Sequence, residues 1–102
     1  MIKLIDMVLS TDEKEVSYPF PIVDEFTLGS GANNHIQISH LNISKQHFTI
    51  RTNWEGLSFI YDMGSERGTY IGNKKLEKGQ LLQLHFGDII TLGKYDYAFQ
   101  IG

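Results

Sequence analysis

Four residue types that bind or move protons and anions fall within eight positions of one another. The segment Ser39 to Gln46 and its neighbour His47 read SHLNISKQH. It holds two hydroxyls, two amides, two imidazoles and an ammonium, with no helical repeat of apolar residues. A Ser–His pair at Ser44 and His47 invites a nucleophilic reading. Yet no Gly-x-Ser-x-Gly elbow surrounds Ser44 and no evident acid orients His47. The histidines His35, His40 and His47 lack the short, regular spacing of a metal motif, although loops could still bring His35 and His40 together. No glycine-rich phosphate loop opens a helix. The expectation is no enzyme, no metal and no cofactor. Small donors beside a cation, held between strands, suit the binding of an anionic group instead.

The elements that must hold this segment are strands. Thr27–Leu28–Gly29 and Ile36–Gln37–Ile38 precede it, and Phe48–Thr49–Ile50 follows. Further runs of β-branched and aromatic residues read as strands at Ile2 to Leu9, Glu15 to Tyr18, Asp24 to Leu28 and His47 to Thr52. Others lie at Leu57 to Asp62, Thr69 to Ile71, Lys74 to Leu76, Leu81 to His85, Ile89 to Leu92 and Tyr97 to Ile101. Pro19 and Pro21 place the second at an edge or end it. Asn53 to Gly56 reads as a four-residue hairpin connection. The count is ten or eleven short strands with frequent turn signals and no helix. That pattern predicts an all-β sandwich spanning residues 1–102 as one domain.

Composition bounds the function. The 102 residues are 41% hydrophobic, enough for one packed core. Nine basic against twelve acidic residues give a net charge of −3. Nucleic acid and anionic membrane surfaces ask for a basic excess, so neither is expected as a partner. Without cysteine there is no disulfide frame. No stretch is apolar enough to span a bilayer, and the N-terminus carries Lys3 and Asp6 and lacks a cleavage site. The cytoplasm is the expected compartment.

The order and spacing of five short stretches resemble the forkhead-associated domain, a β-sandwich that binds phosphothreonine peptides. They are Gly29–Ser30, Asn34–His35–Ile36, Ser44–Lys45–Gln46–His47, Arg67–Gly68–Thr69 with Tyr61 to Ser65 before it, and Leu84 to Gly93. The resemblance covers nearly the whole chain, in order and with the usual spacings. The resemblance implies that Ser44 contacts a phosphate and that Lys45, Arg67, Ser30 and Thr69 share the phosphopeptide site. It implies that His47, Gly29 and Gly68 support the binding loops, with His47 a buried brace. Two positions depart from the family. Ser30 stands where an arginine contacts the phosphate, and Arg67 stands where an asparagine holds the peptide backbone.

Each of these residues also has a plainer use. Ser44 could end a turn, Lys45 and Arg67 could be solvated loop residues, and Lys74, Lys75 and Lys78 could form a solvated hairpin face. Two functions follow. The first is a phosphothreonine reader in signalling, with Arg67 replacing the cation missing at Ser30. The second is an assembly domain that kept the sandwich and binds its partner without phosphate. Both suit a freestanding unit or one segment of a longer multidomain protein.

Overall fold

The protein is described by a computed structural model over residues 2–19, 24–94 and 96–102. The reading at Pro21 lies outside these residues. Eleven strands form two sheets among them: β1 (Lys3–Asp6), β2 (Ser17–Pro19), β3 (Asp24–Gly29), β4 (Ile36–Gln37), β5 (Phe48–Thr52), β6 (Ser58–Asp62), β7 (Thr69–Ile71), β8 (Lys74–Lys75), β9 (Leu82–Gln83), β10 (Ile89–Leu92) and β11 (Tyr97–Ile101). One sheet runs β2–β1–β11–β10–β7–β8 and the other β4–β3–β5–β6–β9. All neighbours pair antiparallel except β3 and β4, which run parallel with Leu28 opposite Ile36.

Alternation decides which face of each strand turns inward. In β11 Tyr97, Phe99 and Ile101 are buried while Ala98 and Gln100 are half-exposed, and in β10 Ile90 and Leu92 are buried. Leu4, Ile90, Leu92 and Phe99 from one sheet meet Phe26, Leu28, Phe48, Ile50 and Ile60 from the other in one apolar cluster. Phe48 and Phe99 bridge the sheets edge to face, with ring centres 6.3 Å apart. Such a pair adds about 0.5–1.5 kcal/mol beyond its buried area. One polar atom sits unpaired inside: the Thr49 hydroxyl has no hydrogen-bond partner among the described residues.

The first strand is shorter than the aliphatic run suggested. Asp6 is fully buried, and its carboxylate accepts the amides of Val8 and Leu9 at 3.0 and 2.8 Å. The same carboxylate accepts the Tyr97 hydroxyl at 2.7 Å. A side chain that captures the amides two and three residues on turns the backbone out of the ladder, leaving Met7, Val8 and Leu9 exposed. Burial, and then the Asp6 hydrogen bond, raises the Tyr97 phenol well above its ordinary value. The strand expected over Leu81 to His85 likewise contracts to Leu82–Gln83, and that over Lys74 to Leu76 to Lys74–Lys75. The second strand, which ends at Pro19, takes an edge place in its sheet.

The strand directions sort the connections to two ends. Loops 30–35, 38–47 and 63–68, with residues 93, 94 and 96, gather where β3 and β6 end and β5, β7 and β11 begin. At the other end Lys3 and Gly102 exchange two backbone hydrogen bonds, 3.1 and 2.9 Å.

Candidate functional site

Three loops are tied into one platform, chiefly by buried polar groups and backbone contacts. Asp62, at the end of β6, shapes the loop after it. One carboxylate oxygen accepts the amides of Gly64 and Ser65, each at 2.9 Å. The other accepts the hydroxyls of Ser65 and Thr69 at 2.5 and 2.7 Å. Ser65 then accepts the Gly68 amide at 3.0 Å, closing the loop on itself. Burial alone would raise the Asp62 carboxyl, but hydrogen bonds from Ser65, Thr69 and Gly64 outweigh it and hold the group below its ordinary value.

His47 joins this loop to the preceding one. Its Nδ1 accepts the Ser44 amide at 3.2 Å, and its Nε2 faces the Gly68 carbonyl at 2.9 Å. A carbonyl only accepts, so Nε2 carries the proton and the ring is neutral. Burial lowers the imidazole from its ordinary value of 6.5, against smaller opposing effects of the Gly68 hydrogen bond and the Asp62 charge. The ring is fully buried. A buried ring spending both nitrogens on backbone groups is a brace, with no atom left for proton transfer to a ligand.

Gly29 and Asn34 fasten the third loop. The Ser30 amide donates to the Ser44 carbonyl at 2.9 Å, and the Gly31 amide to the Lys45 carbonyl at 3.1 Å. Asn34 Nδ2 donates to both Lys45 and Gly31 carbonyls, at 2.6 and 2.9 Å. A Cβ built on Gly29 would overlap the Lys45 carbonyl oxygen, so only glycine lets the two loops approach this closely.

On this platform Ser44 stands between two open grooves. One, of about 250 Å³, is lined by Leu41, Asn42, Ile43, Ser44, Glu66 and Arg67. The other, of about 640 Å³, runs between Gly31 to Asn34 on one side and Ser44, Lys45, Gln46 and Met63 on the other. Ser44 Oγ accepts the Glu66 amide at 3.0 Å. A hydroxyl that accepts at one lone pair still has its hydrogen to donate, and Ser44 Oγ donates to no acceptor among the described residues. Lys45 is exposed and forms no ion pair among the described residues. Arg67 is half-exposed to solvent at 54% of its side chain and faces Asp96 at 3.8 Å, a loose surface pair.

The other expected residues fall in different places. Ser30 is half-buried and holds the loop through its backbone, its carbonyl also accepting Gln37 Nε2 at 3.1 Å. Thr69, expected at the site, is fully buried with its hydroxyl on Asp62, so its side chain braces the platform from beneath. Gly68 takes a positive φ of 84° and offers its carbonyl both to His47 and to the Gly93 amide. Lys75 and Lys78 line a separate groove with Asp62, Glu77 and Gly64, Ser65 and Gly68 of the 63–68 loop. His35 bonds Thr27 and stacks on Phe26, whereas His40 meets the Tyr97 ring edge-on. The sequence reading passed over Asp62 and Asn34 as site-forming residues. Their signals were an acidic residue two places before a glycine and serine, and an asparagine three after another turn glycine, both suited to side-chain turns.

Known structures share this fold. One solved structure similar to the chain is the FHA domain of the CT664 protein from Chlamydia trachomatis, at a TM-score of 0.84 and 21% identity, covering 98% of this chain and 94% of that one. Another is EmbR of Mycobacterium tuberculosis in complex with a low-affinity phosphopeptide, at 0.80 and 21%, covering 98% of this chain and 24% of that one. A protein phosphatase 1 regulatory inhibitor subunit homologue from Arabidopsis thaliana is 32% identical over 50 residues, 49% of this chain. The chain spans 14% of that relative's length. Residues 26–93, about two thirds of the chain, match the FHA domain family. They contain all three braced loops, and the chain belongs to the forkhead-associated domain family.

Proposed function

We propose that this domain is a phosphothreonine-reading module that joins its host protein to a phosphorylated partner. The observation carrying the reading is the place of Ser44: its hydroxyl donates to no acceptor among the described residues, at the junction of a groove holding Arg67 and a groove holding Lys45. A phosphothreonine brings about −1.5 to −2 charges and three acceptor oxygens. One neutral donor flanked by two cations answers that demand, and Arg67 adds the fork geometry that suits phosphate. Gly29, His47 and Gly68 act through the platform, and Ser30 contributes a backbone tie where the family's arginine is missing. EmbR, of the same fold, was solved with a phosphopeptide, which supports the reading by analogy of fold. The module has no catalytic step in this reading, binds no nucleic acid and works in the cytoplasm. No described helix is long and apolar enough to cross a membrane.

The test is an NMR titration of the labelled domain with phosphothreonine peptides and their unphosphorylated forms. Phosphate-dependent shifts at Ser44, Lys45 and Arg67 are expected, and Ser44→Ala is expected to weaken binding about tenfold or more, the worth of one charge-assisted hydrogen bond. Absence of phosphate-dependent shifts across the peptides would favour the second reading, an assembly domain that binds without phosphate. One observation supports that alternative: no cation stands at Ser30, and Arg67 already faces Asp96.

A further inference from the structure

The sheets end on the edge strands β2 and β8 in one and β4 and β9 in the other. Those of the first sheet carry devices against further pairing: β2 ends at Pro19, and β8 is the exposed pair Lys74–Lys75. β9 has neither proline nor charge. It holds to β6 with Leu82 opposite Ile60 and Gln83 opposite Phe59. The Leu84 amide continues the ladder to the Ser58 carbonyl at 2.8 Å. In an antiparallel pair the main-chain groups of alternate residues point to the partner strand. Those of Leu82 therefore face β6, as the Leu84 amide does. Those of Leu81 and Gln83 turn to the open side and meet no hydrogen-bond partner among the described residues. The open stretch is bounded at both ends. The Gln80 amide is taken by the Glu77 carbonyl at 3.0 Å, and the His85 amide by the Asp88 carboxylate at 2.7 Å.

The side chains beside this edge are apolar. In β6 Ser58 and Ile60 are buried in the sandwich, so Phe59 and Tyr61, both half-buried, lie on the outer face. Leu57 before them and Met63 after them continue that face and are 39 and 38% exposed. Leu81, one step beyond the Ile60–Leu82 pair and so beside Tyr61, is 55% exposed. This stripe carries no charge. The nearest charge on the same face, Arg51 beside Phe59, is already paired with Glu25 at 3.1 Å. Cations stand at the loop end of β9 instead. Lys78 lies just before Leu81 and lines one groove with Lys75, opposed there by Glu77. Neither lysine forms an ion pair among the described residues.

We infer that β9 is a docking edge for an extended segment of a partner protein, which joins the five-stranded sheet as an antiparallel sixth strand and needs no phosphate. The occupant is a strand because what the edge leaves unpaired is main chain, the N–H and C=O groups of Leu81 and Gln83. Antiparallel addition is the more stable mode and the one β9 already uses with β6. Partner residues opposite Leu81 and Gln83 lay their side chains against the outer stripe, so the segment is apolar at alternate positions. Running against β9, it brings its carboxyl-terminal side to Lys78 and Lys75, so acidic residues follow the apolar ones. A second β9 fits poorly. Self-pairing about Leu82 would lay Gln83 against the stripe and place Phe86, not an acid, opposite Lys78. Ser44 takes no part in this contact.

The probe is the capped peptide Thr-Val-Thr-Val-Thr-Glu-Glu, titrated into the isotope-labelled full chain. Its addition is expected to shift the Leu81 and Gln83 amide signals, slow the exchange of the Gln83 amide hydrogen with solvent, and leave Ser44 and Lys45 in place. In antiparallel addition the residues facing Leu81 and Gln83 are those whose amides bond to β9. Methylating the valine nitrogens is therefore expected to abolish binding, and methylating the central threonine nitrogen to preserve it. The reverse pattern would mean a parallel strand, and equal binding of both would mean capture by side chains alone; either overturns the inference. Gln83→Pro removes an outward N–H that the β6 ladder does not use, so the fold should survive and the binding should not. Lys78→Glu is expected to weaken binding about two- to fivefold, the worth of an exposed pair, and a peptide ending in Lys-Lys to reverse that preference. Absence of shifts at β9, or shifts at Ser44 and Lys45 in their place, would overturn the docking edge. So would a dimer of the free chain closed at β9, since the occupant would then be a second copy. The peptide carries no phosphate, so none of these failures touches the phosphothreonine reading.

Discussion

The loop end of the molecule has two tiers that differ in how far they are determined. In the lower tier His47, Asp62 and Thr69 satisfy nearly every polar atom that they bring inside, and Gly29 and Gly68 occupy positions that other residues would strain. In the upper tier Lys45 and Arg67 project into solvent with one loose ion pair between them and the rest of the chain. The lower tier fixes where a ligand can be held. The upper tier fixes what the ligand must be. In the proposed reading Arg67 supplies the cation that Ser30 lacks without disturbing the frame, because the two tiers share few atoms.

The sharpest break of this division is Gly29→Ala. The added methyl would collide with the Lys45 carbonyl, backbone against backbone, and overpacking of that kind costs about 3 kcal/mol. Urea denaturation should show that loss. A variant that kept its stability would mean that the two loops move apart freely, and the lower tier would not be a rigid frame.

A smaller effect is expected from His47. Its ring is held neutral in the folded state with its pKa depressed, whereas in the unfolded chain it titrates near 6.5. The unfolded state therefore takes up a proton that the folded state resists, and stability is full above pH 6.5 and falls as pH drops below it. Asp62 is also depressed, so its contribution is present above 3.8 and lost as pH falls below that value. Denaturation midpoints measured from pH 8 to 3 should fall in two stages. His47→Gln should remove the upper stage and, by leaving one backbone partner unmatched, lower stability at pH 8 by about 1–2 kcal/mol. A wild-type profile flat between pH 7 and 5 would contradict the brace.

The smallest effect on stability is expected at Arg67. Arg67→Ala should change stability by less than about 0.5 kcal/mol, since exposed pairs are worth little. The same variant should weaken phosphopeptide binding roughly tenfold. Parallel calorimetry and denaturation separate the two. A variant that lost stability instead of affinity would move Arg67 into the frame.

The same division explains what could be read from residues alone. Strands such as Thr69–Ile71, Ile89–Leu92 and Tyr97–Ile101 agree in both bounds with the sequence reading, because alternation and flanking glycines mark them. His47 was legible as a buried brace once the loop motifs stood in register. Asp6 was not: an aliphatic run hid a carboxylate that bends the chain after four residues of strand. Thr69 was misplaced for a related reason. A hydroxyl in a loop motif looks like a ligand donor until the carboxylate beneath it is seen. Which side of a short strand a hydroxyl takes depends on the register with β10, where Thr69 lies opposite Leu92, and that pairing joins residues far apart in the chain.

The bonds between Lys3 and Gly102 bear on how such a unit is carried. The entering and leaving ends of the fold lie side by side, at the pole away from the loops. Anything attached to either end starts from that pole, like two cords from the base of a lamp, and the lit face stays clear. A host chain could therefore take up this unit between two of its own segments, at a surface turn, with little stretching of the join. Joining the two ends by a short linker and reopening the chain at the exposed Asn53–Leu57 hairpin should likewise give a permuted fold that keeps its loops in place.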